Sequence, residues 1–285
     1  MSNSARFLRA FSSSLFSIMG LMMGVGSIQA AWKPTLSATV DHNDNVTRSL
    51  RDEKSDFAAA ADIDFSTLRI LNRDWQGHLA GFARTRHWQD WSGLDQTEAG
   101  VRTGLRRKFG LGPYAPRLDL SVEGARVFAA TSPWTGHRLA ASLRLQRRFT
   151  PIVTAAASVA LDRFDARRST YSGTGYTAQL GADLDLTREW RLALSARFRE
   201  GDRTAWCRES WPEITGGPHW QDGIFGGDWF PYRARARTSG VTASLARAIG
   251  SSTTIAASID ASESKASKGR NYSTQVLSLQ FIHVF

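Results

Sequence analysis

Apolar and polar side chains alternate with period two in about twelve stretches between Trp32 and Phe285, each near the ~9 to 11 residues a tilted strand needs to cross a bilayer. This pattern predicts an all-β chain with one face against an apolar medium and the other against polar groups. Two further observations select a closed transmembrane antiparallel up-and-down barrel over a water-soluble sandwich. Connections between the stretches alternate short and long, and aromatic residues gather at both ends of the strands.

Taken in order, the first segment sets Trp32, Leu36, Ala38 and Val40 against Lys33, Thr35, Ser37 and Thr39. The second sets Phe57, Ala59, Ala61, Ile63 and Phe65 against Ala58, Ala60, Asp62, Asp64 and Ser66. A third, less regular, runs from Trp75 to about Arg86. The fourth opposes Ala99, Val101, Thr103 and Leu105 to Arg102, Gly104 and Arg106, and the fifth opposes Leu118, Leu120 and Val122 to Asp119, Ser121 and Glu123. The sixth and seventh carry Leu139, Ala141, Leu143 and Leu145, then Val153, Ala155, Ala157, Val159 and Leu161, on their apolar sides. In the eighth and ninth, Tyr176 to Leu186 and Trp190 to Phe198 alternate across a short turn that brings Asp185 toward Arg191. The tenth, Tyr232 to Ile249, switches its apolar face near Ser239-Gly240, which predicts a bulge. The eleventh alternates Ile255, Ala257, Ile259 and Ala261 with Thr254, Ser258 and Asp260.

Short connections fall at 72–74, 110–116, 150–151, 187–189 and 250–252; the longer ones lie near 41–56, 87–97, 128–135, 163–174, 200–231 and 262–271. That asymmetry predicts short periplasmic turns and long extracellular loops, with both termini on the short-turn side. Trp32, Trp75, Phe109, Phe149, Trp190 and Phe285 lie toward the short turns, and Phe57, Trp88, Trp134, Phe164, Phe198, Tyr232 and Tyr272 toward the long loops. The two rows are expected to form interfacial girdles.

The last segment, Tyr272 to Phe285, puts Leu277, Leu279, Phe281, His283 and Phe285 on one side, with a slip in the pattern near Val276. A final strand with one apolar row ending in an aromatic residue resembles the C-terminal signature of Gram-negative outer-membrane β-barrels. The resemblance implies that Phe281, His283 and Phe285 are read by the barrel-assembly machinery and that the protein resides in the outer membrane. His283 departs from the tyrosine more often found there. At the other end, Arg6 and Arg9 precede an apolar run from about Leu15 to Ile28 and then Gln29-Ala30-Ala31. This reads as a secretory signal over residues 1–30, leaving 31–285 as a single barrel domain.

The full chain carries a net charge of +10. Without Arg6 and Arg9, 34 of the 36 basic residues remain against 26 acidic ones, a net +8. In an exported chain with arginines spread over the strands, this favours lipopolysaccharide or small anionic solutes as partners rather than nucleic acid. The single Cys207 cannot form an internal disulfide.

If the apolar face meets lipid, the polar face lines the lumen. Its candidate selectivity residues are Arg102, Arg106, Arg138, Arg144, Arg191, Arg197 and Arg199, with Asp62, Asp64, Asp119, Glu123, Asp183 and Asp185 opposing them. Buried charge is costly unless paired or hydrated, so these residues form either a cross-linked plug or a wet channel. The expected function is a channel for small anionic solutes working by electrostatic selection. A plugged structural barrel is the alternative. The longest loop, with Trp206, Trp211 and Trp220, either folds inward as a constriction or packs on itself at the surface.

No catalytic group, cofactor or metal is expected. None of His42, His78, His87, His137, His219 and His283 falls in a hydrolase-like motif, and 41–46 lacks the glycine of a calcium loop, having Val46 at the sixth position. The strand ending in Asp41-His42-Asn43-Asp44-Asn45 before Val46-Thr47-Arg48 resembles the first hairpin of a broad group of β-barrel porins. Some of these are linked to surface-polysaccharide export, which that resemblance adds as a further alternative.

Overall fold

Twelve antiparallel strands close on themselves in the computed structural model, which describes residues 32–51, 53–208, 220–267 and 270–285. The expected signal segment, and Trp211, lie outside the described residues. The strands are β1 (Lys33–Asn43), β2 (Asp56–Ile70), β3 (Trp75–Trp88), β4 (Gln96–Lys108), β5 (Arg117–Ala129), β6 (Gly136–Arg148), β7 (Val153–Ala166), β8 (Gly173–Asp185), β9 (Trp190–Cys207), β10 (Phe230–Ile249), β11 (Thr253–Ala266) and β12 (Asn271–Val284). Each pairs with its neighbours in sequence, and β1 pairs with β12 from Thr35↔Val284 to Asn43↔Val276. Closure leaves no free edge, so each strand finds its main-chain partners inside the barrel even where no water is present.

The turn ends follow the expected alternation. Residues 71–74, 109–116, 149–152, 186–189 and 250–252 join the strands on one side and 44–55, 89–95, 130–135, 167–172, 208–229 and 267–270 on the other, mostly longer, side; the exceptions are 109–116, which is long for its side, and 267–270, which is short for its side. The outer wall carries Val101, Leu120, Leu143, Val159, Leu180, Leu194, Leu245, Ile259 and Leu279, all exposed. In water such a continuous band would drive aggregation; against acyl chains it is the favourable surface.

Two expectations of broken pattern are corrected. The pairing of β9 with β10 runs unbroken through Ser239↔Phe198 and Gly240↔Arg197, so there is no bulge. Even-numbered residues of β10 face inward throughout, with Ala234, Ala236 and Thr238 buried above the band and Arg233, Arg235 and Arg237 turned outward. What switches at Ser239 is the medium, because β10 leaves the hydrocarbon there and its outer face becomes polar. The slip at Val276 has the same origin, since β12 pairs continuously with β11 through Asp260↔Val276 and Ala261↔Gln275.

The extracellular aromatic row is also corrected. Phe57, Phe128, Tyr176 and Phe198 are exposed on the outer wall, but Tyr232 and Tyr272 are buried on the inner face and Trp134 packs within the outer loops. At the short-turn end Phe109, Phe149, Trp190 and Phe285 are exposed, and Arg107, Arg147 and Arg247 lie over Phe109, Phe149 and Trp190. Such pairs suit an interface where a ring meets lipid and a cation meets the headgroups.

Candidate functional site

Lumen chemistry begins with strand alternation, which brings every second residue of adjacent strands onto the inner wall at cross-strand spacing. On β2 to β6 this assembles a ladder of arginines and carboxylates. Arg84 lies 3.2 Å from Glu123 and 3.7 Å from Asp62, and Arg102 donates to Glu123 at 2.8 Å while standing 3.6 Å from Asp64. Arg138 reaches Glu98 at 2.9 Å, and Asp119 accepts from Arg106 at 2.5 Å and from Arg117 at 3.0 Å. Phe82, 2 % exposed, sits under this ladder with the Arg84 guanidinium 4.1 Å from its ring centre. Gly100 makes room for that ring: a Cβ there would stand 2.7 Å from Phe82 and 2.4 Å from the Gly124 carbonyl.

Across the barrel, Arg197 forks onto Asp260 and Arg199 onto Asp162, while Thr242 also donates to Asp260 at 2.6 Å. Arg191 donates to Asp185 at 2.8 Å across the 186–189 turn, and Arg148 approaches the same carboxylate at 3.3 Å. Arg144, opposite Asp119 in the register, has no ion pair among the described residues, and Asp183 lines the inner mouth. Thus six of the seven candidate arginines are engaged by carboxylates. Sequence reasoning placed these residues on one face but omitted Glu98 and Arg117, which join the ladder on the same alternation.

The arginines of these pairs are mostly not packed dry, although Glu98, Glu123 and Asp119 keep only 10, 15 and 16 % of their side-chain surface. Side chains of Arg84, Arg102, Arg138 and Arg197 retain 33, 31, 36 and 31 % of their accessible surface, and Asp62 retains 38 %. A solid plug would leave such groups near zero, so the lumen has room for water beside them. At the short-turn end lies a cavity of ≈ 450 Å³ bordered by Arg73, Lys108, Arg117, Arg148 and Arg191 and by Asp74, Asp183 and Asp185.

The opposite mouth is built differently. Five of the six outer loops meet in one hydrophobic cap: Val46 from 44–55, Trp91 and Leu94 from 89–95, Trp134 from 130–135, Tyr171 from 167–172, and Trp220, Ile224, Phe225 and Trp229 from 208–229. Trp206, near the end of β9 and 1 % exposed, is its centre, 5.4 Å from Phe225 and 5.9 Å from Trp134 between ring centres. The loop predicted over 200–231 is shorter than that, because β9 extends to Cys207 and β10 starts at Phe230. Thr47 accepts a bond from the Trp206 main-chain N–H at 3.0 Å, and Arg48 donates to the Thr204 carbonyl at 2.9 Å. Since β1 and β9 are four strands apart around the wall, those bonds carry the first loop across the mouth.

Asp222 ties the cap together. One carboxylate oxygen accepts both the Tyr171 hydroxyl at 2.7 Å and the Trp206 indole N–H at 2.5 Å, while the other accepts the Ile224 N–H at 3.0 Å. Burial, then the neighbouring Asp222 charge and the bond to it, pushes the Tyr171 phenol far above its usual range. Arg168 lies 4.0 Å over the Trp220 ring. No single stretch of sequence announces Asp222, because its partners come from three separate elements.

The remaining candidates are placed as follows. Phe281 and Phe285 are exposed on the outer wall, and His283 packs edge-on against Phe285 at 4.6 Å and bonds Thr253 at 2.9 Å. His42 lies tilted against Phe57 with ring centres 4.7 Å apart, whereas Asp41 pairs inward with Arg86 at 2.9 Å. Asn45 knots the first loop through bonds to the Ser49 and Ser273 carbonyls at 2.8 and 2.9 Å. Among the described residues no cluster of histidine, cysteine and carboxylates is arranged to hold a metal.

No protein-family model matches the sequence, and neither does any curated protein sequence. Solved structures do match. An outer-membrane channel from Pseudomonas putida F1 superposes with a TM-score of 0.60 at 10 % identity, over 92 % of this chain and 98 % of that one. The NanC porin gives 0.45 at 8 % identity over 88 % and 99 %, and an anion-selective porin from Comamonas acidovorans 0.44 at 8 % over 90 % and 99 %. Identity this low speaks to fold. The protein is a closed twelve-stranded barrel with an apolar outer band suited to lipid, a fold it shares with the outer-membrane channel of P. putida F1.

Proposed function

We propose that the protein is a capped outer-membrane channel that passes small anionic solutes. The observation that supports the reading is that lumen arginines keep about a third of their surface, as for Arg84 and Arg102, which leaves room for water and a solute beside them. Such a wall offers a migrating solute successive guanidinium contacts while its own carboxylates hold the arginines in place. The preference for anions rests on the cations without a carboxylate partner. Arg144 along the wall has no ion pair among the described residues; at the inner mouth Arg73 and Lys108 lack one too, but so do Asp74 and Asp183, so the unbalanced cation is Arg144. A barrel of the same fold is an outer-membrane channel in P. putida F1.

The test is conductance of the purified protein in planar bilayers under a salt gradient. Stepwise currents with a reversal potential on the anion side support the reading. A cation-side potential would overturn the selectivity, and silence after the cap is released would overturn the channel.

A second reading, a closed structural barrel, is favoured by the aromatic cap that crosses the outer mouth. The two readings differ in what lies below the cap. A structural barrel needs no hydrated interior, so releasing the cap separates them.

A further inference from the structure

On the outer wall, at the upper edge of the apolar band, lies a groove of ≈ 470 Å³. Its floor is Val122, Leu139, Ala141 and Leu161, outward residues of β5, β6 and β7, and three of them are exposed. Its upper rim is polar and includes Tyr176, Glu200, Arg163 and Arg235. Glu200 holds two guanidiniums from β10, accepting from Arg235 at 2.7 and 3.1 Å and from Arg237 at 3.1 Å; Tyr176 donates to it at 2.8 Å.

Ordinary surface ion pairs need no ligand, but the placement here is specific. Arg235 and Arg237 remain 69 and 70 % exposed, and Arg163 63 %. Three hydrogen bonds to Glu200 leave most of the ten N–H donors of Arg235 and Arg237 turned outward. They stand directly above Tyr176, Phe198 and Val241, where the wall passes from lipid to headgroups. An apolar groove below and a guanidinium fork above match an acyl chain joined to a phosphate.

We propose that this groove and fork bind a phosphorylated, acylated glycolipid of the outer leaflet, one acyl chain lying over Val122, Leu139 and Leu161 and a phosphate on Arg235 and Arg237. Glu200 and Tyr176 are positioning residues that aim the guanidiniums. The site does not depend on whether the lumen conducts.

The test uses the full-length barrel in detergent, titrated separately with lipopolysaccharide, with its dephosphorylated form and with inorganic phosphate, and read by thermal unfolding and bound-lipid mass spectrometry. Saturable stabilisation by lipopolysaccharide is expected, with the dephosphorylated form and free phosphate each much weaker. The Arg235→Ala/Arg237→Ala pair should lower apparent affinity about thirtyfold, the expectation for two basic contacts at a charged membrane surface. Arg247→Ala, an exposed arginine at the opposite interface, should leave it unchanged. Leu139→Glu, which puts a charge on the groove floor, should weaken lipopolysaccharide binding without altering any response to phosphate. Heat-modifiable migration of each variant confirms folding. Equal affinity of the double variant and the wild type, equal loss in Arg247→Ala, or free phosphate binding as tightly as lipopolysaccharide would overturn the proposal.

Discussion

Replacing Asp222 with alanine should open the cap. The carboxylate satisfies two buried donors, the Tyr171 hydroxyl and the Trp206 indole N–H, on residues only 3 and 1 % exposed. Stranding a buried polar group costs about 1–3 kcal/mol, so the closed cap should lose about 2–6 kcal/mol relative to an open cap in which both donors meet water. At the lower bound the open-to-closed ratio rises about thirtyfold, since ~1.4 kcal/mol is a factor of ten. Asp222→Asn keeps one acceptor oxygen and should fall between wild type and Asp222→Ala. The assay is mean current through bilayers holding many copies, with tryptophan emission followed in parallel; opening should raise the current and shift emission to the red. A double-mutant cycle with Tyr171→Phe should show coupling, because both substitutions act on one bond. Wild-type current and emission in Asp222→Ala would refute the claim that this carboxylate holds the mouth shut.

Cap closure should also fail in alkali. The folded Tyr171 phenol ionises well above its ordinary value of 10.0, so the closed cap keeps a proton that an opened cap releases. Its stabilisation is whole below about pH 10 and falls as the pH rises further; red-shifted emission above pH 10 should be absent in Tyr171→Phe. In the lumen, Glu123→Gln removes the carboxylate shared by Arg84 and Arg102, so reversal potentials should move further toward anions. Arg102→Glu with Arg197→Glu should move them toward cations, and an unchanged potential in both variants would show that these residues do not border the conducting path. Deleting Phe285 should reduce the yield of assembled barrel. Phe82→Ala should assemble but unfold more easily, by about 3–5 kcal/mol for a buried ring; equal assembly yields for the two would contradict separate roles in recognition and packing.

The barrel was legible because lipid imposes a simple rule on each strand: every second side chain must be apolar. Val101, Leu120, Leu143, Leu180 and Leu279 obey it, and counting such rows recovered the strands and their alternating connections. Misreadings arose where that rule stops. Beyond the hydrocarbon β10 and β12 continue in unbroken register, but Arg235, Arg237 and Gln275 now face polar surroundings, so the pattern inverts without any change in backbone geometry. Tyr232 and Tyr272 belong to the same zone. Each stands at a strand end, where an aromatic residue suits the lipid interface, yet each turns inward.

Lumen pairing was partly legible for the same local reason. Asp185 and Arg191 are six residues apart on a hairpin, so alternation predicts their meeting, and the 2.8 Å contact needs nothing else from the fold. Arg138 and Glu98 meet across an intervening strand, which requires the stagger of the sheet as well as its periodicity. The cap demands more again. Val46, Leu94, Tyr171 and Phe225 come from four different loops and Trp206 from the end of β9; the first four outer connections each contribute only one or two apolar groups, and 208–229 adds Trp220, Ile224, Phe225 and Trp229. No isolated loop could bury them. Barrel closure brings the loop ends within reach, so the cap is encoded jointly by strand number and by a few aromatics that have nowhere else to go. Strand number therefore shapes the mouth as well as the wall.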